Sequence, residues 1–209
     1  MLIAVETSDI VASTKLSKAL RSEAVASIKD CYSKALVNQY DQFDFFRGDA
    51  YQVLYSQAQN SLKQSLLTKL FLMSMLPQEI SVTQSIALGH TSNIETNLGE
   101  NMDDVFVISG RTLDTLKSGY LNINYSELSA DFSLLMEFAN RLLSGITAKQ
   151  AQILYWWILL GFPEHKVIAD QLSVSRQNIN THLLRSNADL FKKLLLNFSE
   201  QIERLTIHD

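Results

Sequence analysis

Residues 43–55 read FDFFRGDAYQVLY. Two runs rich in aromatic and β-branched side chains, Phe43–Phe46 and Ala50–Tyr55, meet at Arg47-Gly48-Asp49. Runs of that composition around a glycine-bearing turn predict a β-hairpin. Working outward toward the N-terminus, residues 16–39 place Leu16, Leu20, Ala24, Ile28, Cys31, Ala35 and Leu36 at helical spacing. Asp9–Thr14 is polar and predicts a loop, and Leu2–Glu6 is a short apolar run that predicts a buried strand. Toward the C-terminus, residues 57–75 predict a second helix stopped near Pro77, and Ser81–Leu88 alternates as a strand before Gly89.

The order is β-α-β-β-α-β, the split βαβ or ferredoxin-like pattern: an antiparallel sheet with helices on one face. A polar loop over 90–103, a helix over Ser109–Leu116, a short strand over Tyr120–Asn124 and helical spacing over 127–143 extend it. Beyond Ser144-Gly145 no strand signal remains. The expected fold class is α+β, with a ferredoxin-type domain over 1–143 and an all-helical domain over 144–209.

Composition bounds the function. The chain of 209 residues is 46% hydrophobic and 19% charged, which suits one or two globular domains. No apolar stretch of about 18 residues occurs, so no membrane span is expected. The start, MLIAVETSDIVASTK, lacks the basic residues and cleavage site of a signal peptide. Cys31 is the only cysteine, read as a small core residue, and a chain without an internal disulfide fits the reducing cytoplasm. The net charge of −4 is unevenly spread: 11 basic and 16 acidic residues over 1–143 give −5, while six basic and three acidic over 147–193 give +3. An acidic body repels phosphate, so nonspecific DNA binding is expected to be weak.

The basic segment holds a tight set of constraints. Thr147 with Gln150 forms a capping box before AKQAQILYWWILLG, which ends at Gly161. EHKVIADQL (164–172) predicts a second, short helix with Val167, Ile168 and Leu172 inward and small Ala169 at the helix crossing. Ser173-Val174 is the turn, Val174 plugs the angle, and Ser175 caps a third helix whose buried positions are Ile179 and Leu183. Glycine is common in such turns where Ser173 stands. The third helix exposes Arg176, Gln177, Asn180, Thr181 and Arg185, with no acid from Ser175 to Ala188. Arginine reads guanine edges, and Asn and Gln read adenine edges, from a helix in the major groove. The segment, about 45 residues, resembles the helix-turn-helix of sigma-factor region four and of LuxR-type regulators. The alternative is a trihelix that serves only as a packing unit. Residues 188–205 carry Phe191, Leu194, Leu195, Phe198, Ile202 and Leu205 on one stripe, either packing on the trihelix or forming a dimer seam.

Asp9-Ile10-Val11-Ala12-Ser13-Thr14 after the first strand, and Arg47-Gly48-Asp49-Ala50-Tyr51 in the hairpin, resemble two signatures of class III nucleotidyl cyclases. Ile86-Ala87-Leu88-Gly89-His90 and Ser109-Gly110-Arg111 continue the pattern. The whole chain resembles the SatD family, a bacterial group of similar length with a cyclase-like domain before a helix-turn-helix. The resemblance implies that Asp9 and Asp49 hold Mg or Mn with a nucleotide, and that Arg111 contacts phosphate. The alternative makes Asp9 a helix cap, Asp49 a turn residue and Arg111 a salt-bridge partner. The pattern is incomplete. Phe45 stands where cyclases carry a base-reading lysine, and Val107 where they carry an asparagine. That leaves little to orient a substrate, so no catalytic residue is assigned and the chain is not expected to be an enzyme. His90, His165, His182 and His208 show no metal-ligand spacing, and neither a glycine-rich phosphate loop nor a nucleophile elbow occurs.

The expected function is a DNA-binding transcriptional regulator, a cytoplasmic homodimer whose first domain senses a small molecule or nucleotide or dimerises. The alternative is a divergent two-metal cyclase-like enzyme. A third class is a protein-interaction module without a DNA role, for which the sequence pI near 5.6 speaks.

Overall fold

The computed structural model describes residues 1–36, 38–46, 48–75, 80–91, 98, 103–129 and 131–207. Arg47, Pro77, His208 and nearly all of the loop expected over 90–103 lie outside the described residues.

The fold is α+β, built on one five-stranded sheet. Strand β1 (Leu2–Ile10) lies at its centre, flanked by β3 (Ala50–Tyr55) and β4 (Val82–His90). Both pair antiparallel with it, Ala4 opposite Tyr55 and Leu88, Asp9 opposite Ala50 and Thr83. Strand β2 (Gln42–Phe46) forms the predicted hairpin with β3, and β5 (Leu121–Asn124) lies parallel to β4. The order β2-β3-β1-β4-β5 contains the split βαβ arrangement with one strand added.

β1 runs four residues beyond the predicted strand, through polar Thr7, Ser8 and Asp9. A central strand keeps its ladder because both neighbours supply hydrogen bonds, and its polar side chains find partners across the sheet. Side chains alternate along it. Leu2, Ala4 and Ile10 face the large core under α1 (Lys18–Ala35) and α2 (Ser61–Met75). Ile3 and Val5 face the other way, with Leu54 and Ala87, onto Val105 and Phe106 of α3 (Asp104–Thr115). Helices therefore cover both faces, not the one face the pattern predicted. Both sides of the central strands are apolar and both need cover.

The helical segment follows α4 (Asp131–Ser144) and comprises α5 (Ala148–Leu159), α6 (His165–Leu172), α7 (Arg176–Arg185) and α8 (Ala188–Ile207). The capping box forms as read: Thr147 Oγ1 accepts from Gln150 N and Gln150 Oε1 from Thr147 N. α5 packs on α2, with Phe71 and Tyr155 rings 5.5 Å apart. That second contact explains why α2 is buried on nearly every side. In α8, Phe191, Leu195, Phe198 and Ile202 are buried, and Phe198 meets Phe132 of α4 at 5.7 Å. The apolar stripe of α8 is thus spent within the chain. One core cluster runs from Leu2 and Ala4 through Leu154 to Ile179 and Ile202.

Candidate functional site

The two aspartates of the N-terminal signatures come together. Asp9 is the penultimate residue of β1, and Asp49 follows Gly48, whose φ of +82° makes the turn. The backbone carbonyl of Asp49 accepts from Ile10 N at 3.3 Å, and its carboxylate accepts from Ser13 Oγ. Burial, then the neighbouring Asp49 charge, pushes the Asp9 carboxyl above the usual carboxylate range, with the Ile10 N–H opposing. Among the described residues no third His, Cys, Asp or Glu joins them in a metal-sized group. Thr7 Oγ1, on the same sheet face, lies 2.7 Å from Ser109 Oγ and accepts from Gln52 Nε2 at 3.1 Å. Arg111 lies exposed on α3 and makes no ion pair with either aspartate among the described residues.

Phe45 is packed among the rings of the hairpin. Its ring lies 5.5 Å from Phe43 and 5.4 Å from Tyr51, with Lys29 Nζ 5.6 Å from its centroid. Val107 is half-buried on α3.

Sequence reasoning missed a buried polar cluster on the opposite face of β1. Glu6 is fully buried. Its carboxylate accepts from Ser8 Oγ at 2.7 Å, Tyr32 Oη at 2.9 Å, Tyr55 Oη at 2.6 Å, Ser65 Oγ at 2.5 Å and Gln84 Nε2 at 3.1 Å. These donors come from α1, α2, β3, β4 and β1 itself, so one carboxylate ties five elements together. Burial, then the Glu6 charge, pushes the Tyr32, Tyr51 and Tyr55 hydroxyls well above their ordinary value. Lys69 of α2 is buried beside it and donates to the Val82 carbonyl, and burial brings its amine down to about 7. Period-two alternation was the available signal: Glu6 is in phase with Leu2 and Ala4, which face inward.

The structure sets α6 and α7 against each other across the turn at Ser173. Ser173 takes φ 53°, left-handed, which is why glycine is common at this place. Ile168, Ala169, Ile179 and Leu183 are buried, and Val167, expected inside, is 48% exposed. Ser175 Oγ accepts from Asn178 N at 3.1 Å. Arg176, Gln177, Asn180 and Arg185 are exposed, and half-buried Thr181 donates to the Gln177 carbonyl at 2.9 Å. Cys31 is half-buried rather than core, and burial with the adjacent Asp30 pushes its thiol up to about 12, which disfavours the thiolate. No helix among the described residues is long and apolar enough to cross a membrane.

No protein-family model and no curated protein matches the chain. Among solved structures, the crystal structure of the guanylyl cyclase Cya2 is similar at TM-score 0.43 and 16% identity, over 59% of this chain and 74% of that one.

Proposed function

We propose that the chain is a DNA-binding transcriptional regulator that reads the major groove with α7. The observation that carries this reading is the outer face of that helix. Arg176, Gln177, Asn180 and Arg185 stand exposed on a well-capped helix, and 175–188 holds no acid, on a chain of net charge −4. A face kept only for solubility has no reason to exclude glutamate. The turn at Ser173 and the burial of Ile168, Ala169 and Ile179 fit the helix-turn-helix that the sequence resembles. In this reading the sheet domain, cyclase-like and SatD-like in its motifs, is a non-catalytic sensing or dimerising module. Exposed Leu135 and Phe138 of α4, which line one apolar cavity with Leu190 of α8, offer the apolar face for a second copy. Selection of genomic fragments followed by mobility shifts at low salt tests the reading. Arg176→Ala or Asn180→Ala is expected to weaken the selected site by about 1–3 kcal/mol. Arg185→Ala should weaken all sequences alike and flatten the salt dependence. Absence of any shifted band at low salt would overturn it.

A second reading rests on the Asp9–Asp49 pair. A divalent cation, Mg or Mn, would relieve their repulsion and receive a nucleotide's phosphates. Phe45 and Val107 at the positions of the base reader and asparagine argue against turnover, so this reading is of binding. Nucleotide with magnesium or manganese is expected to raise the melting temperature by several degrees at a hundredfold excess over Kd, a stabilisation of about 2.7 kcal/mol. Asp9→Asn with Asp49→Asn should abolish the rise. A rise that survives the double substitution would remove the site, and a cyclic product lost in Asp49→Ala would replace binding with catalysis.

A further inference from the structure

On the far side of the β1 end from Asp9, a cavity of about 530 Å³ opens where the sheet meets α5. Its walls include Lys69 of α2, Lys117 and Gly119 before β5, Arg141 of α4, and Thr147-Ala148 at the start of α5. Three basic side chains line it and no aspartate or glutamate does among the described residues, although the chain as a whole carries −4.

Two of these side chains, Lys117 and Arg141, have no acid partner among the described residues. Lys69 is 2% exposed, feels the Glu6 charge, and has one hydrogen-bond acceptor among the described residues, the Val82 carbonyl. Lys117 leans on Tyr120, 3.3 Å from its hydroxyl and 4.9 Å from its ring centroid, and has no acid partner among the described residues. Arg141 is exposed and likewise makes no ion pair among them. The first turn of α5 adds backbone N–H groups that the helix itself leaves unpaired, since the capping box serves only Thr147 and Gln150.

We propose that this cavity binds a small phosphate-bearing molecule without a metal ion, its phosphate held by Lys117, Arg141 and the start of α5. A multiply charged oxyanion matches the two exposed cations Lys117 and Arg141 and a helix N-terminus better than a single carboxylate does. A concave site of this volume suits a small ligand, at roughly 300–1,000 Å³, rather than the convex backbone of duplex DNA. The cavity takes walls from both sides of Ser144-Gly145, so an occupant would fasten the sheet to the helices beyond it.

The test is calorimetric titration and thermal shift with pyrophosphate in EDTA at fixed ionic strength. EDTA removes any route through metal at Asp9 and Asp49, so failure here leaves that site and the DNA reading untouched. The wild type is expected to show a saturable rise in melting temperature. Lys117→Gln with Arg141→Gln, both at exposed positions, should weaken binding at least tenfold. Lys166→Gln with Lys193→Gln, elsewhere on the helices, should leave it unchanged. No saturable binding, or equal loss in both double variants, overturns the proposal. So does a Lys117→Gln, Arg141→Gln variant that loses duplex DNA while the wild type ignores pyrophosphate, because the cations would then serve the DNA surface.

Discussion

Lys69 carries a physical conflict that pH can expose. Burial favours the neutral amine and the Glu6 charge favours the ammonium, and burial wins, bringing it from 10.5 to about 7. In the unfolded chain the same amine keeps its proton to about 10.4. Between these values the unfolded state binds more protons, so stability must rise with pH. The burden is full below pH 7 and fades above it. Opposing groups enter higher up. Cys31 and the buried tyrosines have raised folded values, so the unfolded chain loses their protons first and stability falls again from about pH 9. The urea midpoint is therefore expected to climb between pH 7 and 8.5, and Lys69→Met should flatten the climb. An unchanged slope in that variant would mean that Lys69 does not titrate where its burial sends it.

At the scale of elements, legibility followed periodicity. The hairpin 42–55 and the helices α5 to α8 were readable because local signals decide them: a glycine turn, caps at Thr147 and Ser175, and apolar residues at helical spacing. The sequence pattern ends β1 at Glu6 because Thr7, Ser8 and Asp9 look like loop. They are strand because β3 and β4 pair with them, which is tertiary information. The helix α3 begins five residues before its expected start at Ser109 for a similar reason: Val105 and Phe106 seat it on the second face of the sheet, a face the pattern does not assign to a helix. The candidate sites divide in the same way. Asp9, Asp49 and the α7 face were visible as motifs. The Glu6 cluster was not, because its donors come from five elements and no sequence window contains them. The cationic cavity was missed too, since Lys69, Lys117 and Arg141 lie far apart in sequence and meet only where α2, the β5 approach and α4 converge.

At the scale of the molecule, the question is whether Ser144-Gly145 divides two independent cores. Between domains, interfaces are usually modest and polar, and relative motion is the default. Here Phe71 meets Tyr155, Phe132 meets Phe198, and Leu154 and Ile158 are buried in the same cluster as Leu66 and Leu70. Apolar contact of that kind couples unfolding, because separating the halves would expose the buried face of α2 as well as that of α5. The chain is therefore expected to melt in a single transition, with the calorimetric and van't Hoff enthalpies equal. Leu154→Ala, a truncation at full burial on the α5 side, should destabilise by about 2–5 kcal/mol. The loss should register equally in hydrogen exchange of β1 amides and of α7 amides, although Leu154 belongs to neither. If β1 keeps its protection while α7 loses it, or if calorimetry resolves two peaks, the helices beyond Ser144 form an energetically separate domain. In the proposed regulator, a ligand bound on the sheet would then have to reach α7 through the linker alone, not through a shared core.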